Sequence, residues 1–315
     1  MRLMSNIISL HKDLKTKSYT HGPYKHFVVS DPKKRDIHKA SVRDRVLHHA
    51  IYRQLYPFFD TTFTADSFSC RDNKGTHRAI RRFEVFTRKV SRNYTKQCWV
   101  LKCDICKFFA SIEHKILLEI LESRIKDEDI MWLLRNIVES FSSNMGVIPA
   151  QVGIHVSFDK MLDSRLRGND RLKGLPLGNL TSQLLVNIYM NEFDQFAKHV
   201  LKAKYYIRYA DDFVFISQDK DKIEKLKLRV AQFLEEKLCL QLHPDKVFIQ
   251  TIYSGIDFLG WVHFPHHRVL RTTSKKRMFR KLNEKNVTSY LGLLSHGNGY
   301  RLQGEIRMKS EFSNT

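Results

Sequence analysis

Residues 205–217 read Tyr-Tyr-Ile-Arg-Tyr-Ala-Asp-Asp-Phe-Val-Phe-Ile-Ser, two apolar, aromatic-rich runs with adjacent aspartates between them. Runs of this composition pair as buried strands, and a buried strand pair has no use for two neighbouring charges. A polar turn in a surface hairpin would accommodate Asp211 and Asp212 without penalty. The other reading is that the turn presents both carboxylates to a metal ion. That reading requires a third carboxylate, a basic surface for a phosphate-rich substrate, and parts that hold a nucleotide.

The charge balance meets the second requirement. Lys and Arg total 54 against 33 acids, a formal net charge of +21 over 315 residues. The excess is spread along the chain, with ten Lys/Arg and two acids in 71–102 and eleven and three in 261–315. A solvated basic face explains such numbers, but the self-repulsion of +21 is offset most directly by a polyanion, so nucleic acid is the favoured partner. At 42% hydrophobic and 11% aromatic residues the chain is a folded protein and not a disordered tail. No basic amphipathic segment or run of spanning length points to a membrane. No signal peptide precedes the first basic residues, which places the expectation in the cytoplasm. The five cysteines lack framework spacing. Cys103 and Cys106 match C-x-x-C, but in a strand-like run they face opposite ways and no second pair follows at zinc spacing, so they read as core cysteines.

The third carboxylate stands in Cys98–His114, an apolar run that ends in Asp104, followed by a turn and two phenylalanines. Carboxylates on adjacent strand ends can hold two Mg²⁺ ions, a pair suited to activating a 3′-hydroxyl and stabilising a leaving pyrophosphate. Phe109 is placed where a ring could press on a nucleotide sugar; a core phenylalanine fits its spacing as well. Between the two strand regions, Gly174, Pro176 and Gly178 form a loop that cannot be regular structure. Thr181 or Ser182 can cap the helix that follows, with Leu185, Ile188, Tyr189, Phe193 and Phe196 on one apolar face.

Taken together these stretches resemble the palm of reverse transcriptases. Asp104 sits in the first acidic motif, 174–190 looks like the template-grip motif, and Tyr209-Ala210-Asp211-Asp212 is similar to the Y-x-D-D box. Residues 238–250 resemble the motif that follows, with Lys246 in the place of a proton donor to pyrophosphate, and Gly255–Trp261 resembles the primer-grip turn. Residues 31–80 look like the fingers motifs of bacterial enzymes, with Arg35, Arg71 and Lys74 near the triphosphate. The likeness covers about residues 20–300. It implies an α+β right-hand polymerase fold with an antiparallel-sheet palm: fingers at about 1–95, palm at about 96–262, thumb at about 263–315. It implies RNA-directed DNA polymerisation on an RNA template with a cDNA product, deoxynucleoside triphosphates and two Mg²⁺ ions. Asp104, Asp211, Asp212 and the backbone carbonyl of Ile105 would bind the metal, and Gly178 and Gln183 would shape the template and nucleotide contact. Lys275, Lys276, Arg277, Arg280 and Lys281 read as a phosphate-tracking face.

The grip motif reads Leu177-Gly178-Asn179-Leu180-Thr181-Ser182-Gln183. Group II intron and most retroviral-type enzymes put Gln before that glycine and Pro after that serine. Leu177 and Gln183 depart from them and resemble the enzymes of diversity-generating retroelements, as does the stretch 289–300. That likeness implies error-prone copying of adenines and a small basic accessory protein. Some defence-associated bacterial reverse transcriptases share the loop, and a nonenzymatic RNA-binding remnant is a reading of a different class. No room is left for an endonuclease, integrase or RNase H domain, and only about 20 residues precede the fingers motifs, as expected of a shortened start or a damaged copy.

Residues 147–154 and 163–170 fit none of these motifs. Their codons can be written as reverse complements in seven of eight pairs, Val147 with Asp170 through Ile154 with Asp163, with only Val152 and Arg165 failing. The segment looks like a translated palindromic DNA repeat inserted in frame, tolerated as a surface loop because closure entropy grows only logarithmically with length.

Overall fold

The computed structural model describes residues 3–31, 33–143 and 172–312. The 147–170 segment lies outside the described residues. In chain order the elements are α1 (Leu3–Lys15), β1 (Lys25–Val29), β2 (Arg35–Lys39), α2 (Val42–Asp60), α3 (Thr76–Val90), β3 (Trp99–Cys103), α4 (Phe108–Ser111), α5 (His114–Arg124) and α6 (Glu128–Glu139). They continue with α7 (Leu180–Gln195), β4 (Tyr206–Tyr209), β5 (Asp212–Ser217), α8 (Lys220–Leu238), β6 (Phe248–Thr251), β7 (Ile256–Phe258), β8 (Trp261–His263) and β9 (Arg268–Leu270). Helices α9 (Thr272–Lys281), α10 (Val287–Leu294) and α11 (Tyr300–Phe312) follow.

The centre is a four-stranded antiparallel sheet in the order β4-β5-β3-β6. Side chains alternate across a strand, and here both faces are apolar. Leu101, Cys103, Tyr206, Phe213 and Phe215 point into a core shared with α7 and α8. Val100, Ile207, Val214 and Ile216 pack with Ala79, Phe83, Phe86 and Val90 of α3. Burial on both faces is why these strands read as continuous apolar runs and not as an alternating pattern. A β1–β2 hairpin and a three-stranded sheet, β7-β8-β9, flank the centre.

Helix starts follow side-chain chemistry where it is available. Ser41, Asp127 and Asp219 each accept a hydrogen bond from a backbone N–H in the first turn of α2, α6 and α8. Helix α7 departs from the expectation. Asn179 holds its cap position, and Thr181 lies inside the first turn, hydrogen-bonded to His48. The helix is buried on nearly all sides, not on one face. It ends in a π-type turn, Phe196–Val200, where Phe196 stacks on Phe233 with ring centroids 4.0 Å apart.

The C-terminal helices pack through Met278, Leu294 and Ile306 onto Trp261 and Ile80. The boundary anticipated at 262 therefore falls within β8, whose strand pairs onward with β9. Cys103 is fully buried, whereas Cys106 is half-buried. Among the described residues no helix is long and apolar enough to cross a membrane.

Candidate active site

Register places the carboxylates. In the β3–β5 ladder Cys103 faces Phe213, so Asp104 leaves the end of β3 beside Asp212 at the start of β5. Tyr209 faces Asp212 across β4–β5, which leaves Ala210 and Asp211 as a two-residue turn. Such a turn needs a positive φ that glycine usually supplies, and here Ala210 adopts φ 56°. A non-glycine residue held in that region stores strain that the surroundings must offset.

The support lies directly beneath. Arg208 is fully buried and donates through Nη1 to the Ala210 carbonyl at 3.1 Å. The same guanidinium donates to Asp194 Oδ1 at 2.8 Å and Oδ2 at 2.7 Å, to Asn187 Oδ1 at 3.2 Å and to Ser67 Oγ at 3.0 Å. Tyr206 donates to Asp194 Oδ1 at 2.6 Å. A buried ion pair contributes little net stability, but with every polar atom engaged it fixes one geometry. It holds the strand end that carries Asp211.

The electrostatics are those of crowded acids. Burial first, with Asp104 and Asp211 alongside, pushes Asp212 up to about 7, against the pull of Lys102. Lys102 Nζ lies 3.6 Å from Asp212 Oδ2, while Oδ1 is buried with no hydrogen-bond partner. Asp211 is likewise raised by burial and by Asp104, with Lys246 and Lys33 opposing. Lys246 Nζ stands 3.4 Å from Asp104 Oδ2. Asp257 on β7 adds a fourth carboxylate whose charge reaches Asp212, and it is itself ion-paired with Arg271. Among the described residues no three His, Cys, Asp or Glu side chains converge tightly enough to hold an ion as they stand. The three aspartates are neighbours on strand ends, two of them leaning on lysines. An orphaned buried oxygen and an all-oxygen donor set nevertheless fit a hard divalent cation such as Mg²⁺.

Ile105 pairs with Leu242 in an isolated bridge, and its side chain is core. Phe109 is half-buried, packing partly against the main core and edge-on to Phe108. Its carbonyl accepts from Leu175 N at 2.8 Å, docking the 174–179 loop. The loop is also zipped to β2: His38 N donates to the Leu177 carbonyl at 2.9 Å, and Asn179 bonds the His38 carbonyl and the Ala40 amide. Gly178 sits at φ 111°, where an added Cβ would meet Ile37 at 2.8 Å. Gln183 is half-buried one turn into α7.

The cations expected at a triphosphate divide. Arg71 is committed to the protein: its guanidinium is nearly buried, bonded to Asp60 at 2.6 Å and to the carbonyls of Thr64 and Ser67. It staples the loop after α2. Lys74 folds back onto the Ala65 carbonyl at 2.7 Å and over the Phe68 ring. Arg35 is exposed at the start of β2. Besides Lys246, the charge of Lys33, a neighbour of Arg35 that the motifs did not single out, acts on Asp211. On α9, Lys276, Arg277, Arg280 and Lys281 share a face, whereas Lys275 leans over Phe279 on another side. Lys281 bonds Asp31 of the β1–β2 hairpin at 2.6 Å.

Comparison with known proteins identifies the family and the fold. The family model described as reverse transcriptase (RNA-dependent DNA polymerase) matches residues 30–263. Protein YkfC of Escherichia coli is 25% identical over 87% of this chain and 74% of its own length. The group II intron-encoded protein LtrA of Lactococcus lactis is 19% identical over 79% of this chain, and the putative COX1/OXI3 intron 2 protein of Saccharomyces cerevisiae 21% over 82%. The chain spans 48% of the former and 34% of the latter. Among solved structures, telomerase from Candida albicans in complex with a telomeric RNA fragment superposes with a TM-score of 0.54 at 12% identity. That likeness covers 92% of this chain and 54% of the telomerase chain, and it shows a shared α+β polymerase fold. With the family match spanning most of the chain, the protein belongs to the reverse transcriptase family.

Proposed function

We propose that this chain copies RNA into cDNA by nucleotidyl transfer. The primer 3′-oxygen forms a bond to the α-phosphorus of a deoxynucleoside triphosphate as the bond to pyrophosphate breaks. The observation that carries the reading is the meeting of Asp104, Asp211 and Asp212 on adjoining strand ends, with one buried oxygen of Asp212 lacking any protein partner. The three carboxylates and the Ile105 carbonyl would hold two Mg²⁺ ions, whose charge, when bound, favours ionisation of the attacking hydroxyl and stabilises the leaving pyrophosphate. Lys246, beside Asp104 and 41% exposed, keeps a proton at Nζ for the departing pyrophosphate. Arg35 and Lys33, on the β1–β2 hairpin, face the phosphates, while Gly178 and Gln183 shape the template side. The cations of α9 follow the product backbone. The fingers, palm and thumb correspond to about 1–95, 96–262 and 263–315.

Leu177 and Gln183 support a diversity-generating, error-prone enzyme served by a small basic accessory protein. The intron-encoded relatives favour a second reading, action on intron RNA. Primer extension on primed RNA with Mg²⁺ tests the core of the proposal. Wild type should extend, and Asp211→Asn should not, while RNA affinity stays nearly intact because the loss lies in transition-state stabilisation. Extension by Asp211→Asn at the wild-type rate would remove the metal assignment.

A further inference from the structure

A basic run on α3 is not used by the site described above. Helix α3 buries Ala79, Phe83, Phe86 and Val90 against the central sheet. Arg78, Arg81, Arg82, Val85, Arg88 and Lys89 lie on the opposite side, within an arc of about 120° at 100° per residue. Arg78, Arg81, Arg88 and Lys89 are exposed. No acid interrupts the stripe. Glu84 turns away to pair with Arg268, and Asp66 is buried between Arg82 at 2.6 Å and Lys198 at 2.7 Å.

The stripe has a direction. Its first end adjoins the catalytic turn, since Thr76 donates to the Tyr209 hydroxyl at 3.2 Å. A shallow pocket of about 490 Å³ opens there, lined by Lys74, Arg78, Arg81 and Arg82. The other end lies at the far end of the β4–β5 hairpin, where the Val90 carbonyl meets Gln218. There a second pocket, about 320 Å³, is lined by Lys89, Lys202, Lys204 and Lys222. The body of α3 stands between this track and the sheet.

We infer that the outer face of α3, continued by Lys202, Lys204 and Lys222, binds the phosphate backbone of RNA outside the polymerase cleft. It would carry the part of a long RNA that flanks the segment being copied. From Arg78 to Lys89 the helix rises about 16 Å, long enough to follow several phosphates of a strand. Arg78, Arg81 and Arg88, which unlike Arg82 form no ion pair among the described residues, suit a repeating polyanion. A membrane is disfavoured, because Val85 is the one large apolar side chain exposed on the stripe, and cations need apolar anchors to seat a helix in lipid. The inference rests on RNA being the substrate, not on catalysis.

The test compares a short primer–template duplex with the same duplex carrying a long structured RNA extension. The protein is the full chain, as wild type and as the triple variant R81Q/R88Q/K89Q. The variant should bind the extended RNA about tenfold or more weakly at physiological salt, with a log–log salt slope reduced by about 2 to 3. Its affinity for the short duplex and its melting temperature should not change. The charge-preserving variant R81K/R88K, with Lys89 left in place, should keep most of the affinity. Equal affinity and slope on the extended RNA would overturn the inference. So would an equal loss on the short duplex, which would put the stripe inside the cleft. Because binding is read without turnover, Asp211→Asn protein should give the same result, which separates this inference from the polymerase assignment.

Discussion

Replacing Asp212 with asparagine should stabilise the protein while abolishing primer extension. The fold keeps this carboxyl where ionisation is unfavourable, displaced from 3.8 to about 7 chiefly by burial. A raised folded value means that the folded chain holds the proton more tightly than the unfolded one. Ionising Asp212 therefore costs nothing below its unfolded value, progressively more between the two values, and its full amount above the folded one. A displacement of about three units at about 1.4 kcal/mol each sets a ceiling near ~4 kcal/mol. The side chain retains 21% exposure, and the variant loses its contact with Lys102, so about 2 kcal/mol is the expected gain. For a chain of 315 residues that is about 3 °C in melting temperature. Thermal melts of both proteins without divalent ions, at about pH 5 and about pH 8, bracket the upper part of the titration. The gap should be wide at the higher pH and narrow at the lower. Added Mg²⁺ should raise the melting temperature of the wild type more than that of the variant. No gain at the higher pH, or a gain indifferent to pH, would refute the reasoning.

Arg208→Met should destabilise the fold by about 3 to 5 kcal/mol in urea titrations, because Asp194 is left buried without its cation; a loss below about 1 kcal/mol would show that the network is dispensable. Leu177→Gln should lower misincorporation opposite template adenines, since an amide there adds a polar contact that a correct pair exploits better than a mismatch. Sequenced cDNA from both proteins on one template decides this, and equal error rates would confine Leu177 to packing under the loop. Affinity for the short primed duplex should fall steeply with salt, and neutralising Lys276 and Arg280 should flatten the slope by about 1.5 to 2; an unchanged slope would exclude them as backbone contacts.

The acids were legible because their surroundings are not. Aromatic runs that bury both faces of a sheet leave only turns for charges, so Asp104, Asp211 and Asp212 stand out at strand ends. Glycines at 174 and 178 marked the loop for the same local reason, a backbone that other residues cannot follow. The errors came where tertiary partners decide. Arg71 resembles a free cation until Asp60, eleven residues earlier, closes on it. Thr181 looks like a cap until His48 claims its hydroxyl. Lys33 is indistinguishable from its neighbours in a basic stretch, and only the fold of the hairpin brings it to Asp211. Arg208 left one trace, a lone cation in a buried strand, which by itself implies a buried acid somewhere else in the chain.

The bond between Lys281 and Asp31 clasps the β1–β2 hairpin to α9. The hairpin carries Lys33, whose charge reaches Asp211, and α9 follows β7, β8 and β9, the first of which carries Asp257, whose charge reaches Asp212. A strand lying between the hairpin and α9 would leave sideways more slowly while the clasp is closed than after it parts. Both clasp residues are exposed, so salt loosens the clasp as well as the phosphate contacts. Residence on a linear RNA and on a covalently circular one should therefore diverge at low ionic strength and converge as salt rises.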